Sequence, residues 1–278
     1  MKRGRWLLGL GGGLLLASVC LAMPATPEPQ VADDPFGSVG QAYLVDIDGT
    51  RVWHKNAEQR LPPASLTKLM TALLVAEQFT ADEAITVDAA AERETGSRLG
   101  LRAGERWRVG DLLAATLIAS ANDACRALAD QAAGDQARFV QRMNLRAQQM
   151  GLRNTRFANA CGHDGPRHYS SAQDLAVLAR AVLHLPQLAA LVALADKPIA
   201  SLDGKRRFAL ANKNALIGRY AGAVGIKTGT TPLAGKCLVA LARRGKHTVL
   251  LVLLKGKDRW WDAVDMLDIA FARAAVPQ

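Results

Sequence analysis

Apolar and polar positions alternate in part over residues 41–47, and Asp48-Gly49 follows, a dipeptide suited to a two-residue hairpin turn. The pattern predicts a strand, a tight turn and a returning strand over residues 51–55. Pro62-Pro63 then interrupts the chain. From Ser65 it runs Ser-Leu-Thr-Lys-Leu-Met-Thr-Ala-Leu-Leu-Val-Ala-Glu, good helix formers without a glycine, which predicts a helix opening at Ser65. Helical composition and apolar spacing recur over 109–119, 124–133, 139–150 and 174–183. Short apolar runs at 222–227, 237–242 and 248–254 predict strands, and 259–273 predicts a closing helix. Strands at both ends with helices between them predict an α+β fold: one antiparallel sheet built from the N- and C-terminal segments, flanked by helices, with a mainly helical second lobe.

The first residues change the picture of where the chain works. A basic start, Met1-Lys2-Arg3-Gly4-Arg5, leads into an apolar run ending in small residues, the pattern of a secretory signal peptide over 1–22 with cleavage after Ala22. Val19 stands where a lipoprotein signal needs a small residue before Cys20. The glycine-broken run is short for a spanning helix, so no membrane span is expected after cleavage. Residues 23–36, rich in proline and acid, predict a linker, and 37–278 a single catalytic domain with no further C-terminal domain.

The net charge of +10 raises a nucleic-acid reading, but there is no basic run interleaved with aromatics. Arg206-Arg207 and Arg243-Arg244 read as solvated faces, and the charge as help in approaching an anionic polymer. Three cysteines follow the signal. Spacing alone does not say whether Cys125 pairs with Cys161 in an oxidising compartment, and Cys237, in an apolar strand pattern, reads as a buried free thiol. His163, Asp164 and His168 are metal-ligand types, but without a His-Glu-x-x-His pattern they read as loop residues. No metal or organic cofactor is expected.

Three short motifs carry the chemistry: Ser65-Leu66-Thr67-Lys68, Ser120-Ala121-Asn122 and Lys227-Thr228-Gly229. A serine hydroxyl needs a base within hydrogen-bond reach to act as a nucleophile. Residues three apart on a helix share a face, so Lys68 suits Ser65. Lys68 must be neutral to take the proton; burial, or the charge of Lys227 nearby, would lower its pKa. Ser120 falls at a helix–helix junction and suits proton relay, while the Asn122 amide suits holding a peptide or an ammonium. Lys227 and Thr228 suit a carboxylate, Gly229 permits close approach of a substrate backbone, and the Thr230 N–H suits an oxyanion hole with that of Ser65.

Any one of the motifs is weak alone; all three in this order resemble the active-site set of penicillin-binding proteins and serine β-lactamases. The segments around them, together with Asn154-Thr155-Arg156-Phe157, Tyr169 to Ala176 and Ala234-Gly235-Lys236-Cys237, resemble the low-molecular-mass penicillin-binding proteins, the D-alanyl-D-alanine carboxypeptidases and endopeptidases. The resemblance implies Ser65 as nucleophile, Lys68 as base, Ser120 and Asn122 as relay and binding groups, and Lys227, Thr228 and Gly229 as the substrate strand. It implies peptidoglycan peptides ending in or cross-linked through D-Ala as substrates, and β-lactams as covalent inhibitors. Where the family shows Asn-Pro-x-Gly-Leu, this chain has Asn159-Ala160-Cys161-Gly162-His163. No glutamate follows Glu105, which counts against the rival reading of a class A β-lactamase; the intact motifs count against a non-catalytic wall-binding protein.

Overall fold

The computed structural model describes Met1 and residues 34–276. The chain forms, in order, β1 (Ala42–Ile47), β2 (Thr50–Lys55), a 3-10 turn (Ala64–Thr67), α1 (Lys68–Gln78), β3 (Ala84–Thr86), α2 (Ala89–Glu92), β4 (Arg106–Arg108), α3 (Val109–Leu117), α4 (Asn122–Ala133), α5 (Gln136–Gln149), α6 (Ala172–His184), α7 (Pro186–Ala193), β5 (Asp196–Ala200), β6 (Arg207–Ala211), β7 (Ala223–Thr231), β8 (Gly235–Arg244), β9 (His247–Gly256) and α8 (Arg259–Ala274). The expected signal peptide and most of the expected linker lie outside the described residues. Packing begins within the last stretch of that linker: Phe36 is buried and meets the rings of Tyr43 and Trp53 edge-on.

The central sheet has the order β2-β1-β9-β8-β7, with every pair antiparallel. N-terminal β1 lies beside C-terminal β9, so the two ends of the folded chain close one sheet. The apolar runs of β8 and β9 are nearly continuous because both faces are covered. Val249, Leu251 and Leu253 pack with Ala263, Met266 and Leu267 of α8. Leu250, Val252 and Leu254 point the other way into the larger core under α1 and α6. α1 sits deepest: every residue from Lys68 to Val75 is buried. A polar tie crosses this interface, where Arg180 of α6 donates to the buried Asp46 carboxylate of β1.

Two small hairpins have no counterpart in the expected elements. β3 pairs with β4, and β5 with β6. They dock on one another through the stacked rings of Trp107 and Phe208, 5.7 Å apart. Arg206 is not the freely solvated charge expected of it. It bonds Glu105 and the Gly100 carbonyl, each at 2.9 Å, because its planar donor fork can satisfy both. Arg207, the next residue, is exposed as expected. Among the described residues no single helix is long and apolar enough to cross a membrane.

Candidate active site

The nucleophile segment enters through Pro62 and Pro63 and turns at Ala64, whose φ of 48° is left-handed. Ser65 stands in the 3-10 turn, and Lys68 begins α1 directly after it. Lys68 is fully buried. Its Nζ lies 3.0 Å from Ser65 Oγ, 2.6 Å from Asn122 Oδ1 and 2.6 Å from the Cys161 carbonyl. Burial, and then the charge of Lys227, hold its pKa well below the ordinary value, against the opposing pull of Glu94 and Asp123. A neutral amine has two hydrogens and one lone pair. Asn122 Oδ1 and the Cys161 carbonyl only accept, so they take the hydrogens, and the lone pair is left facing the Ser65 hydroxyl.

Ser120 and Asn122 occupy the junction between α3 and α4, with Asn122 the first residue of α4. Ser120 has a left-handed φ of 60°, and its Oγ accepts from Lys227 Nζ at 2.9 Å. The Asn122 amide nitrogen donates to the Thr95 carbonyl at 2.6 Å, which turns the amide oxygen toward Lys68. The second lysine, Lys227, is also buried and bonds the Thr228 carbonyl at 3.0 Å. Its pKa is pushed down to about 7 by burial and then by the charges of Arg259 and Lys213.

β7 is the outer strand of the sheet, and its Gly229 lies against the nucleophile turn. A side-chain carbon at Gly229 would stand 3.0 Å from Ala64 Cβ, the Pro63 carbonyl and the Ser65 nitrogen, so any larger residue would push the turn back from the strand. Thr228 is buried behind it and Thr230 exposed in front. Arg259, opening α8, fixes this stretch: one guanidinium nitrogen reaches the Gly229 carbonyl, Thr230 Oγ1 and the Cys237 carbonyl at 3.0–3.1 Å.

The loop that departs from the family pattern closes the site from the other side. The Asn159 side chain accepts from the backbone of Cys161, Gly162 and His163. Gly162 presses so close to Ala64 that an added carbon would fall 2.1 Å from the Ala64 carbonyl oxygen. Cys161 forms a disulfide with Cys125 of α4, and Cys237 is a buried free thiol. The three loop residues of metal-ligand type are each engaged with protein. His163 meets Glu94 at 3.0 Å, Asp164 caps the β7–β8 turn through Thr231 and Leu233, and buried His168 joins Thr67 to the Ala158 backbone.

The structure therefore brings all eight expected site residues to one cleft. Several groups there carry no motif. The Cys161 carbonyl has no side-chain signal at all. Asp123 is fully buried and accepts from the backbone of Leu99, Gly100 and Leu101, holding the opposite rim. Glu94 and Arg259 reach the site from distant segments, and no local spacing announces them.

A serine facing a buried lysine, a second lysine–serine pair behind it and a glycine-bearing sheet edge in front, on this α+β frame, define the penicillin-recognising class of serine peptidases. The family profile described as Peptidase S11, D-alanyl-D-alanine carboxypeptidase, matches residues 30–258, and the chain belongs to that family, the low-molecular-mass penicillin-binding proteins. It is 36% identical over 242 residues to D-alanyl-D-alanine carboxypeptidase DacF of Bacillus subtilis, covering 84% of this chain and 62% of that protein. To DacC of Escherichia coli it is 36% identical over 265 residues, covering 90% and 64%. The chain thus spans under two thirds of the length of these two relatives. It spans nearly all of two solved structures. The Streptomyces K15 DD-transpeptidase superposes with a TM-score of 0.79 at 29% identity, covering 84% of this chain and 97% of that one. A D-alanyl-D-alanine carboxypeptidase of Mycobacterium tuberculosis gives 0.80 at 28%, covering 92% and 97%.

Proposed function

We propose that the protein is a periplasmic serine D-alanyl-D-alanine peptidase that trims or cleaves peptidoglycan stem peptides. The observation that carries this is the set of partners around Lys68, which leaves its lone pair directed at Ser65. Ser65 Oγ attacks the carbonyl of the penultimate D-alanine while Lys68 takes its proton. The backbone N–H groups of Ser65 and Thr230 hold the oxyanion. Ser120, bonded to Lys227, takes up the proton held by Lys68 as it gives its own to the departing amine, and water then releases the acyl group from Ser65. The substrate carboxylate lies along Thr228–Thr230 with Lys227 and Arg259 behind it. A carboxylate there favours the charged form of Lys227, whose pKa near 7 lets it take up the proton on binding.

β-Lactams acylate the same serine. With no glutamate after Glu105 to activate a water in the class A manner, their acyl-enzyme is long-lived. Export by the N-terminal signal places this chemistry beside the wall, and no cofactor enters any step.

The test gives purified protein a pentapeptide muropeptide and a cross-linked dimer and follows product masses, with Ser65→Ala as control. Loss of one alanine identifies a carboxypeptidase, and dimer cut to monomers an endopeptidase. No change in either substrate overturns the proposal. Rapid turnover of a chromogenic cephalosporin would instead support the β-lactamase reading.

A further inference from the structure

Lys68 Nζ is oriented by two oxygens, and both hang on α4. Asn122 Oδ1 belongs to the first residue of that helix. The Cys161 carbonyl belongs to a loop, but Cys161 is covalently joined to Cys125, three residues along α4 from Asn122. Residues three apart on a helix lie on one face. The bridge therefore makes the helix and the loop one body exactly where the amine is gripped, and Cys161 Sγ sits 3.6 Å from the Asn122 carbonyl. Without the bridge the loop keeps the Asn159 contacts within itself, the bonds from Lys68 Nζ and Thr71 Oγ1 of α1 to the Cys161 and Ala160 carbonyls, the Ala160 N–H to Gln136 Oε1 of α5, and His163 to Glu94. None of these partners is a residue of α4. Both cysteines are at most 1% exposed, so the bond lies inside the wall of the site rather than on the surface.

Resting on the reading of Lys68 as the base, we infer that Cys125 and Cys161 are positioning residues for acylation, whose bond fixes the two acceptors that aim the lysine lone pair at Ser65. The bridge lies in the segment where this chain departs from its family's Asn-Pro-x-Gly-Leu pattern, so the device belongs to this chain rather than to the motifs. Freed from α4, the loop carbonyl drifts and water enters beside the amine. The amine is then better solvated, its proton is held more tightly, and less free base is present at neutral pH.

The experiment compares full-length wild type with the paired variant Cys125→Ala and Cys161→Ala, and with Cys125→Ser alone, which cuts the bond at nearly constant volume. Acylation by a fluorescent penicillin is timed from pH 5 to 9, at least 15 °C below each protein's melting temperature as a practical margin of about that size. The expected result is an acylation rate about tenfold lower at pH 7, with half-maximal acylation moved up by about one pH unit and the penicillin dissociation constant unchanged. A merely structural bridge would lower the melting temperature alone; an unchanged rate and pH profile in whichever variant folds overturns the inference. Failure of wild type itself to acylate, with Ser65→Ala as blank, would overturn the serine-peptidase reading and this inference together.

Discussion

Two lysines lie buried within the same cleft, and the walls around them differ in sign. Lys68 is gripped by acceptors and overlooked by the carboxylates of Glu94 and Asp123, which oppose the loss of its proton. Lys227 has cationic neighbours, Arg259 and Lys213, and a hydroxyl partner in Ser120. Burial alone lowers both pKa values, so burial does not assign their roles. The partners do. On the proposed reading, two acceptor-only oxygens make Lys68 a base with a fixed direction, whereas a cationic neighbourhood beside a sheet edge makes Lys227 half of an anion site that charges fully once an anion arrives.

The comparison breaks first at Lys68. Lys68→Ala should lower acylation of Ser65 by about 10²–10⁴-fold, the usual worth of a general base, as read with a fluorescent penicillin. Lys227→Gln should act on binding instead. The KM for a carboxylate-terminated peptide should rise on the order of a hundredfold, while acylation by an ester lacking that carboxylate changes far less. In wild type the same KM should climb as pH rises through about 7, where free Lys227 loses its charge, and acylation should not fall on that side because rising pH only favours the free-base form of Lys68.

A third buried base sharpens the contrast. His168 is pushed down to about 4 by burial, and it bridges Thr67 to the Ala158 backbone as a neutral ring. Above pH 6.5 both folded and unfolded chains keep it neutral, and its burial has no titration cost. As pH falls through 6.5 the unfolded chain takes the proton first, so stability declines until about pH 4. The loss amounts to about 3 kcal/mol at most, and His168→Gln should flatten it in denaturant titrations between pH 7 and 4. The smallest expected effect is that of Glu94→Gln. Removing a charge that raises the pKa of Lys68 should move the acid limb of acylation to lower pH by less than about one unit.

Much of this was legible in the sequence because it is local. The apolar runs of β8 and β9 announce strands covered on both faces, Asp48-Gly49 announces the first hairpin, and the three motifs name seven of the eight residues that meet at the site, with Thr230 next in line. The short hairpins were not legible. β3 and β4 have three residues each, exposed at both ends, and pair across 19 residues of intervening chain. Arg206, Glu94 and Arg259 gain their roles from partners far along the chain, and the Cys161 carbonyl is a backbone atom that any residue supplies. The disulfide stayed open for a related reason: it depends on where α4 and the loop meet, which spacing does not encode.

The sheet order also sets the timing of assembly. Ala42 of β1 pairs with Leu254 of β9, so the first strand waits for the last one. The nucleophile turn likewise leans on Gly229 of β7, long after Ser65 in the chain. Contacts of such separation close late, because the loop entropy must be met before they contribute. While the chain is being made the helices can flicker into being, but the site has no floor until β7–β9 have emerged. The pocket around Ser65 is thus among the last parts of this chain to be completed.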